Sequence, residues 1–237
     1  MFTGKVRRSA LTKLAPFLFA TSVVVPICSA NLITNGDFEM NPVANGAGVI
    51  LATNDTTSLP GWKVIGACGS NCIGILNNYL EASNLGTLTF QAQSGNQSLD
   101  LTGGFNSLVG GVEQTVATSI GANYSLTFYV GNMDNNASSY TLASAVQVAI
   151  TGQAAQTFSN NTNTTTHLNW ALETFDFTAT STSTTIDFIN ATLLADNEAG
   201  LDNVQLNAVS STVPEPSSML LLGAGLVAFA FVRRSLR

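Results

Sequence analysis

Asn123-Tyr124-Ser125-Leu126-Thr127-Phe128-Tyr129-Val130 is the stretch that decides the fold. Tyr124, Leu126, Phe128 and Val130 alternate with Ser125, Thr127 and Tyr129. A period of two belongs to a strand that buries one face. The same period recurs in Val146, Val148 and Ile150, in Phe175 with Phe177, in Ile186 with Phe188, and in Val204 with Leu206. Between these runs stand Gly, Asn, Ser and Thr, the residues of turns, and no long stretch of this region has helical apolar spacing. Strands that each bury one face are satisfied when two antiparallel sheets pack face to face. The expected fold is therefore an all-β antiparallel sandwich. Trp62 and Trp170 are expected in its core, because indole contributes mostly buried area.

Both ends of the chain differ from this middle. Lys5, Arg7, Arg8 and Lys13 form a basic leader, Leu14 to Ile27 is apolar apart from Pro16 and Pro26, and Cys28-Ser29-Ala30 ends in a small residue. This is the grammar of a secretory signal helix cut after Ala30. Bulky Ile27 stands where a lipoprotein signal needs a small residue, which argues against acylation at Cys28. At the other end, Val213-Pro214-Glu215-Pro216 precedes an uncharged run from Met219 to Val232, then Arg233, Arg234 and Arg237. The prolines hold an extended segment. The run of 14 residues is roughly 21 Å as helix, short of a hydrocarbon core of roughly 30 Å. Snorkelling arginines close part of that gap. Basic residues at both ends place both on the cytoplasmic side and everything between them outside.

The expected organisation is thus a signal peptide at 1–30, a β-sandwich domain at 31–212 and a sorting and anchoring segment with a transmembrane helix at 213–237. Pro-Glu-Pro, apolar helix and basic tail together resemble the PEP-CTERM sorting signal. That resemblance implies an exported protein, anchored for a time in the inner membrane and processed by an exosortase. It further implies life at the cell surface or in a biofilm matrix, with exopolysaccharide as candidate partner.

Residues 31–213 keep one base, Lys63, against thirteen acids, a net charge of about −12. Nucleic acid is excluded as a partner, since binding it requires clustered cations. Cys68 and Cys72 are the cysteines left after Cys28 departs. An even pair in an oxidising compartment reads as a disulfide stapling a turn. Two cysteines without a nearby histidine make a poor zinc site.

Asn31-Leu32-Ile33-Thr34-Asn35-Gly36-Asp37-Phe38-Glu39 opens the domain, Leu59-Pro60-Gly61-Trp62 follows, and Leu201-Asp202-Asn203-Val204-Gln205-Leu206 closes it. With Gly111 to Val116 and Gly121 to Phe128 between them, this order resembles the galactose-binding-like jelly roll of carbohydrate-binding modules and of a plant cell-wall family. The resemblance implies that the first and last strands lie close together. It also implies a structural calcium ion between Glu39 and Asp202, with Asp37 as a weaker third ligand. The alternative is that Glu39 caps a turn and Asp202 bonds backbone amides without metal.

A sugar platform needs exposed aromatic rings beside amides. Tyr79 and Tyr140, next to Asn-rich loops, are the preferred candidates, ahead of Phe105 and Tyr129, with Asn77, Asn78 and Asn106 as polar partners. Catalysis is not expected. The sole histidine, His167, follows the polar run Asn160 to Thr166, no nucleophile elbow occurs, and Asp196 and Glu198 sit two apart in a Gly-ended turn. The expected function is a non-catalytic surface or matrix protein that binds exopolysaccharide. A structural protein without a ligand and a glycan hydrolase are the alternatives.

Overall fold

A computed structural model describes residues 30–83, 86–103, 110–133, 143–162, 166–192, 198–209 and 218–235. The signal segment, Tyr140 and the Pro214-Glu215-Pro216 triplet lie outside the described residues, as do Phe105, Asn106, Asp196 and Arg237. Among the described residues thirteen strands run in chain order. They are β1 (Gly48–Leu51), β2 (Lys63–Ile65), β3 (Ile73–Asn77), β4 (Tyr79–Ser83), β5 (Gly86–Phe90), β6 (Gln97–Asp100), β7 (Gly111–Ala117), β8 (Asn123–Asn132), β9 (Ser144–Ile150), β10 (Gln156–Asn160), β11 (Asn169–Thr178), β12 (Ser183–Asn190) and β13 (Gly200–Val209).

Six strands form one sheet in the order β1-β3-β6-β13-β8-β11, and five form the other in the order β10-β9-β12-β7-β2. All the named pairings are antiparallel. The expected sandwich is present, and its alternation is the one written in the sequence. Tyr124, Leu126, Phe128 and Val130 of β8 are buried, and so are Val146, Val148 and Ile150 of β9, Ile186 and Phe188 of β12, and Val204 and Leu206 of β13.

Trp62 lies at the centre of this core, 2 % exposed. Its ring is 5.6 Å from Phe38 and 6.1 Å from Phe188. The indole N–H donates to the Asn35 carbonyl at 2.9 Å, so burial leaves no polar atom of the ring unpaired. Cys68 and Cys72 are bridged as expected, and the bridge staples the turn between β2 and β3 with Cys72 facing the core.

Trp170 departs from expectation. It pairs with Gly131 of β8 and falls on the face opposite Phe175 and Phe177. It belongs to a second apolar cluster of Leu76, Leu88, Phe90, Met133 and Leu168, against which Tyr79 also packs. This cluster exists because the β4–β5 hairpin lies over the outer face of the six-stranded sheet. The hairpin is held there by Thr89 N–H to the Thr166 carbonyl at 2.9 Å and Leu168 N–H to the Thr89 carbonyl at 3.1 Å. Trp170 Nε1 adds a bond to the Gln91 carbonyl at 3.1 Å. Gly131 and Gly200 lie beneath the indole, and a Cβ on either would stand 2.9 Å from its ring atoms, so neither position admits a side chain without displacing Trp170.

A single helix, α1 (Ser218–Ser235), follows the described sandwich residues and carries Arg233 and Arg234 in its last turn. Cations at that end complement the helix dipole. Among the described residues no helix is long and apolar enough to cross a membrane.

Candidate functional site

The opening segment, which reads like a strand, is a run of turns. Asn35 and Phe38 have positive φ, and a Cβ on Gly36 would collide with the Val204 carbonyl. Leu32 N–H donates to the Leu206 carbonyl at 2.9 Å, and Leu206 N–H to Asn31 Oδ1 at 2.8 Å, so the segment runs beside β13 as the resemblance implied. Gln114 of β7 clamps it from the other sheet, its amide bonding both the N–H and the carbonyl of Thr34 at 2.8 and 2.9 Å.

Glu39 and Asp202 are brought to one loop, Gln93 to Gln97, from its two sides. Glu39 Oε1 accepts from the amides of Asn96 and Gln97, both at 2.6 Å. Asp202 Oδ2 accepts from the amides of Gln93 and Ser94 at 2.8 and 2.9 Å, and its Oδ1 from Asn203 N–H at 2.6 Å. Gly95 sits between the two amide pairs with φ +64°, and a Cβ there would meet Glu39 Oε1 at 2.5 Å. Asp202 is wholly buried. Burial, with the Glu39 charge adding to it, pushes its carboxyl up to about 7 against the pull of its three amides.

Beyond this clasp the outer face of the six-stranded sheet stays open. Cross-strand register places Leu172, Tyr129 and Asp202 in one row, Thr174, Thr127 and Gln205 in the next, and Asp176, Ser125 and Asn207 in a third. Leu172 is 57 % exposed, and Tyr129, Thr127, Gln205 and Asn207 are half-buried. Gln205 Nε2 donates to Asn203 Oδ1 at 2.8 Å, and Asn203 Nδ2 to Gln93 Oε1 at 3.0 Å, which fixes a line of planar amides on the strand next to Tyr129. Ser125 Oγ donates to Asp176 Oδ1 at 2.6 Å. Ring, amides, hydroxyls and one carboxylate on a flat sheet can stack a sugar and bond its hydroxyls.

Residues 31–207 match the family described as "Protein of unknown function (DUF642)". The chain belongs to that family. Residues 212–234 match the PEP-CTERM protein-sorting motif. No curated protein matches the chain. Among solved structures, the DUF642 domain is similar to the family 61 module TmCBM61 solved with β-1,4-galactotriose, at 14 % identity and TM-score 0.45, covering 76 % of this chain and all of that one. The CBM22-1 xylan-binding domain of Paenibacillus barcinonensis Xyn10C matches at 16 % identity and TM-score 0.39, covering 72 % of this chain and 100 % of that one. A family 35 carbohydrate-binding module from Clostridium thermocellum matches at 17 % identity and TM-score 0.35, covering 68 % and 97 %.

Within the DUF642 domain the aromatic candidates separate. Tyr79 is half-buried, and its ring packs 5.9 Å from Phe90 against the second cluster, so it supports the hairpin. Tyr129 is the ring that stands on the open face. Parity could have shown this, since Tyr129 alternates with the buried Phe128 and Val130. His167 is exposed and forms an isolated parallel bridge with Thr89.

Sequence reading missed a group of acids that the fold assembles from distant positions. Asp100 of β6 pairs with Gly200, and Leu101 N–H donates to the Ala199 carbonyl at 3.0 Å, which brings Glu198 alongside. Asp100 and Glu198 are buried. Burial raises Asp100 to about 6, although Thr102 donates both its amide and its hydroxyl to Oδ1. Burial, then the charges of Asp100 and Glu81, raise Glu198 well above the carboxylate range. Among the described residues no three His, Cys, Asp or Glu side chains are grouped to hold a metal ion.

Proposed function

We propose that this chain is an exported, non-catalytic surface or matrix protein that binds a neutral exopolysaccharide on the open face around Tyr129. The observation that carries the reading is the conjunction on one sheet face of an available aromatic ring, fixed planar amides and hydroxyls, with Leu172 beside them. The acidic balance of residues 31–213 favours a neutral glycan over a uronate-rich one, since like charges repel. Asp100 and Glu198 are on the same face of the sheet but are buried, which supports binding without hydrolysis. A glycan array probed with the processed protein tests the reading. The expected result is retention on neutral polysaccharides with no release of sugar. Turnover would make the protein a hydrolase, and retention on none would leave a structural matrix protein without a ligand.

The PEP-CTERM match supports processing by an exosortase after export. Leu226, Phe229, Phe231 and Val232 of α1 are each more than half exposed, an apolar surface suited to temporary anchoring in the inner membrane. Replacing Pro214-Glu215-Pro216 by alanines is expected to leave the precursor in the membrane, whereas wild type yields a chain starting at Asn31 and lacking the helix. Mass measurement of both ends checks this, and release of the variant at the wild-type rate would remove the sorting assignment.

We further propose that the Glu39–Asp202 clasp closes on amides, without calcium. Glu39 Oε1 and Asp202 Oδ2 each accept two N–H groups, so an ion would have to displace those bonds or use the remaining oxygens. Chelator is expected to leave the melting temperature of metal-stripped wild type unchanged. Gly95→Ala is expected to be less stable by about 2 kcal/mol with or without calcium, because its φ favours glycine and an added Cβ would meet Glu39. A melting temperature raised by calcium in the wild type would place an ion in the clasp.

A further inference from the structure

The β4–β5 hairpin closes over three acids contributed by three separate elements: Glu81 on the hairpin itself, Asp100 on β6 and Glu198 before β13. Glu81 pairs with Leu88, so the two share the hairpin face that meets the sheet. Asp100 and Glu198 are the buried pair, and two bare carboxylates brought together out of water repel and lose their hydration. One atom shows how the conflict is resolved. Glu198 Oε1 is buried and has no hydrogen-bond partner. A carboxylate oxygen left so is costly, whereas a protonated carboxyl there carries less charge and gains a donor.

We propose that Glu198, buried beside Asp100, holds a proton that locks the β4–β5 hairpin onto the six-stranded sheet, and that the hairpin is released as the medium turns alkaline. Asp100 is the better carboxylate of the pair, since Thr102 donates to it twice. Glu198 is then the proton carrier. Its backbone carbonyl accepts from the Ser144 hydroxyl, and the Ser144 N–H donates to Asn132 Oδ1 at 3.0 Å, which anchors the Glu198 backbone beside β9. The charged groups on the surrounding elements are all acids: Glu81 from β4, Asp100 from β6, and Asp202 with Glu39 at the clasp further along the sheet. Lys63 is engaged with Glu113 at 2.7 Å on the other sheet, and His167 is exposed on the segment beside β5. Loss of the proton therefore sets Glu198 against both Glu81 and Asp100 with no cation to neutralise it. Among the described residues, two backbone bonds through Thr89, the Trp170–Gln91 bond and the second apolar cluster tie the hairpin to the sheet, and these are the contacts that yield when it is released. The inference is independent of the glycan reading.

Hydrogen-exchange protection of the amides of residues 79–90 in the processed protein, corrected for intrinsic rates, tests the latch. Protection is expected to fall up to about tenfold per pH unit above the crossing, the limit for one linked proton, while β8 and β12 keep theirs. Glu198→Gln, a neutral isostere, is expected to hold the acid-form protection throughout. Asp100→Asn provides a second neutral variant should the first fail to fold. Protection in the wild type that ignores pH would overturn the proposal, and so would a pH dependence unchanged in both variants. Protection restored at alkaline pH by added calcium would overturn it as well, by making the cluster a cation site.

Discussion

Trp62→Ala is expected to lower the unfolding free energy by about 4 kcal/mol, near the middle of the range for removing a buried aromatic ring. The ring sits between Phe38 of the opening segment and Phe188 of β12, so its loss opens a cavity where the first turns meet the second sheet. Alanine also strips the Asn35 carbonyl of its indole donor. Asn35 organises the opening turns, its side chain donating to the Pro60 carbonyl at 3.0 Å and accepting from Met40 N–H at 3.0 Å. Trp62→Phe separates the two contributions, since it keeps most of the packing and leaves the Asn35 carbonyl only the longer bond from Phe38 N–H at 3.3 Å, at a cost of about 1 kcal/mol. Denaturant midpoints at constant slope check both variants. An alanine variant within about 1 kcal/mol of wild type would mean that Trp62 does not anchor the core.

Stability is expected to peak on the acid side, near about pH 4, and to fall by several kcal/mol, on the order of 6, as the medium rises to about pH 8. The direction follows from Asp202 and Asp100. Their folded carboxyls titrate near about 7 and about 6 against an ordinary 3.8. Between the unfolded and folded values the native state holds protons that the unfolded chain has already released. Raising the pH therefore favours unfolding, until the folded groups themselves ionise. Asp55 acts oppositely. The amides and hydroxyls of Ser58 and Thr57 lower it to about 2, so its contribution is lost as pH falls through that value. Urea unfolding across this range reads the profile directly. Asp202→Asn is expected to flatten its upper part, and a wild-type profile that rises between about pH 5 and about pH 8 would contradict the assignment.

The sandwich was legible because each core strand writes its buried face in alternate residues, as β8 and β9 do over most of their length. Trp170 was legible too, though misplaced by its residue type. Counting back in twos from Phe177 and Phe175 reaches Glu173 and Ala171, which leaves Trp170 on the other face with Leu172. The opening segment misled in another way. Its apolar residues pack beside β13, but Asn35, Gly36 and Phe38 take conformations that alternation does not reveal. The partners of Glu39 and Asp202 were hidden for a general reason. They are backbone amides of residues 93, 94, 96 and 97, and an amide leaves no mark on a sequence. Only Gly95 between them hinted at a turn. The acid cluster required the hairpin to fold over the sheet, which brings together positions 81, 100 and 198 with nothing local to announce it.

The central claim is that the face around Tyr129 binds a neutral glycan, and one comparison tests it most directly. Retention of the processed wild-type protein and of Tyr129→Ala is measured on the neutral polysaccharide that the array selects, with melting temperatures confirmed equal. The account predicts that the variant binds at least about tenfold more weakly, the loss expected when a central aromatic contact is removed. Tyr79→Phe, altered within the hairpin, should bind as wild type does. Equal retention of Tyr129→Ala and wild type would contradict the account and place any glycan contact elsewhere on the domain.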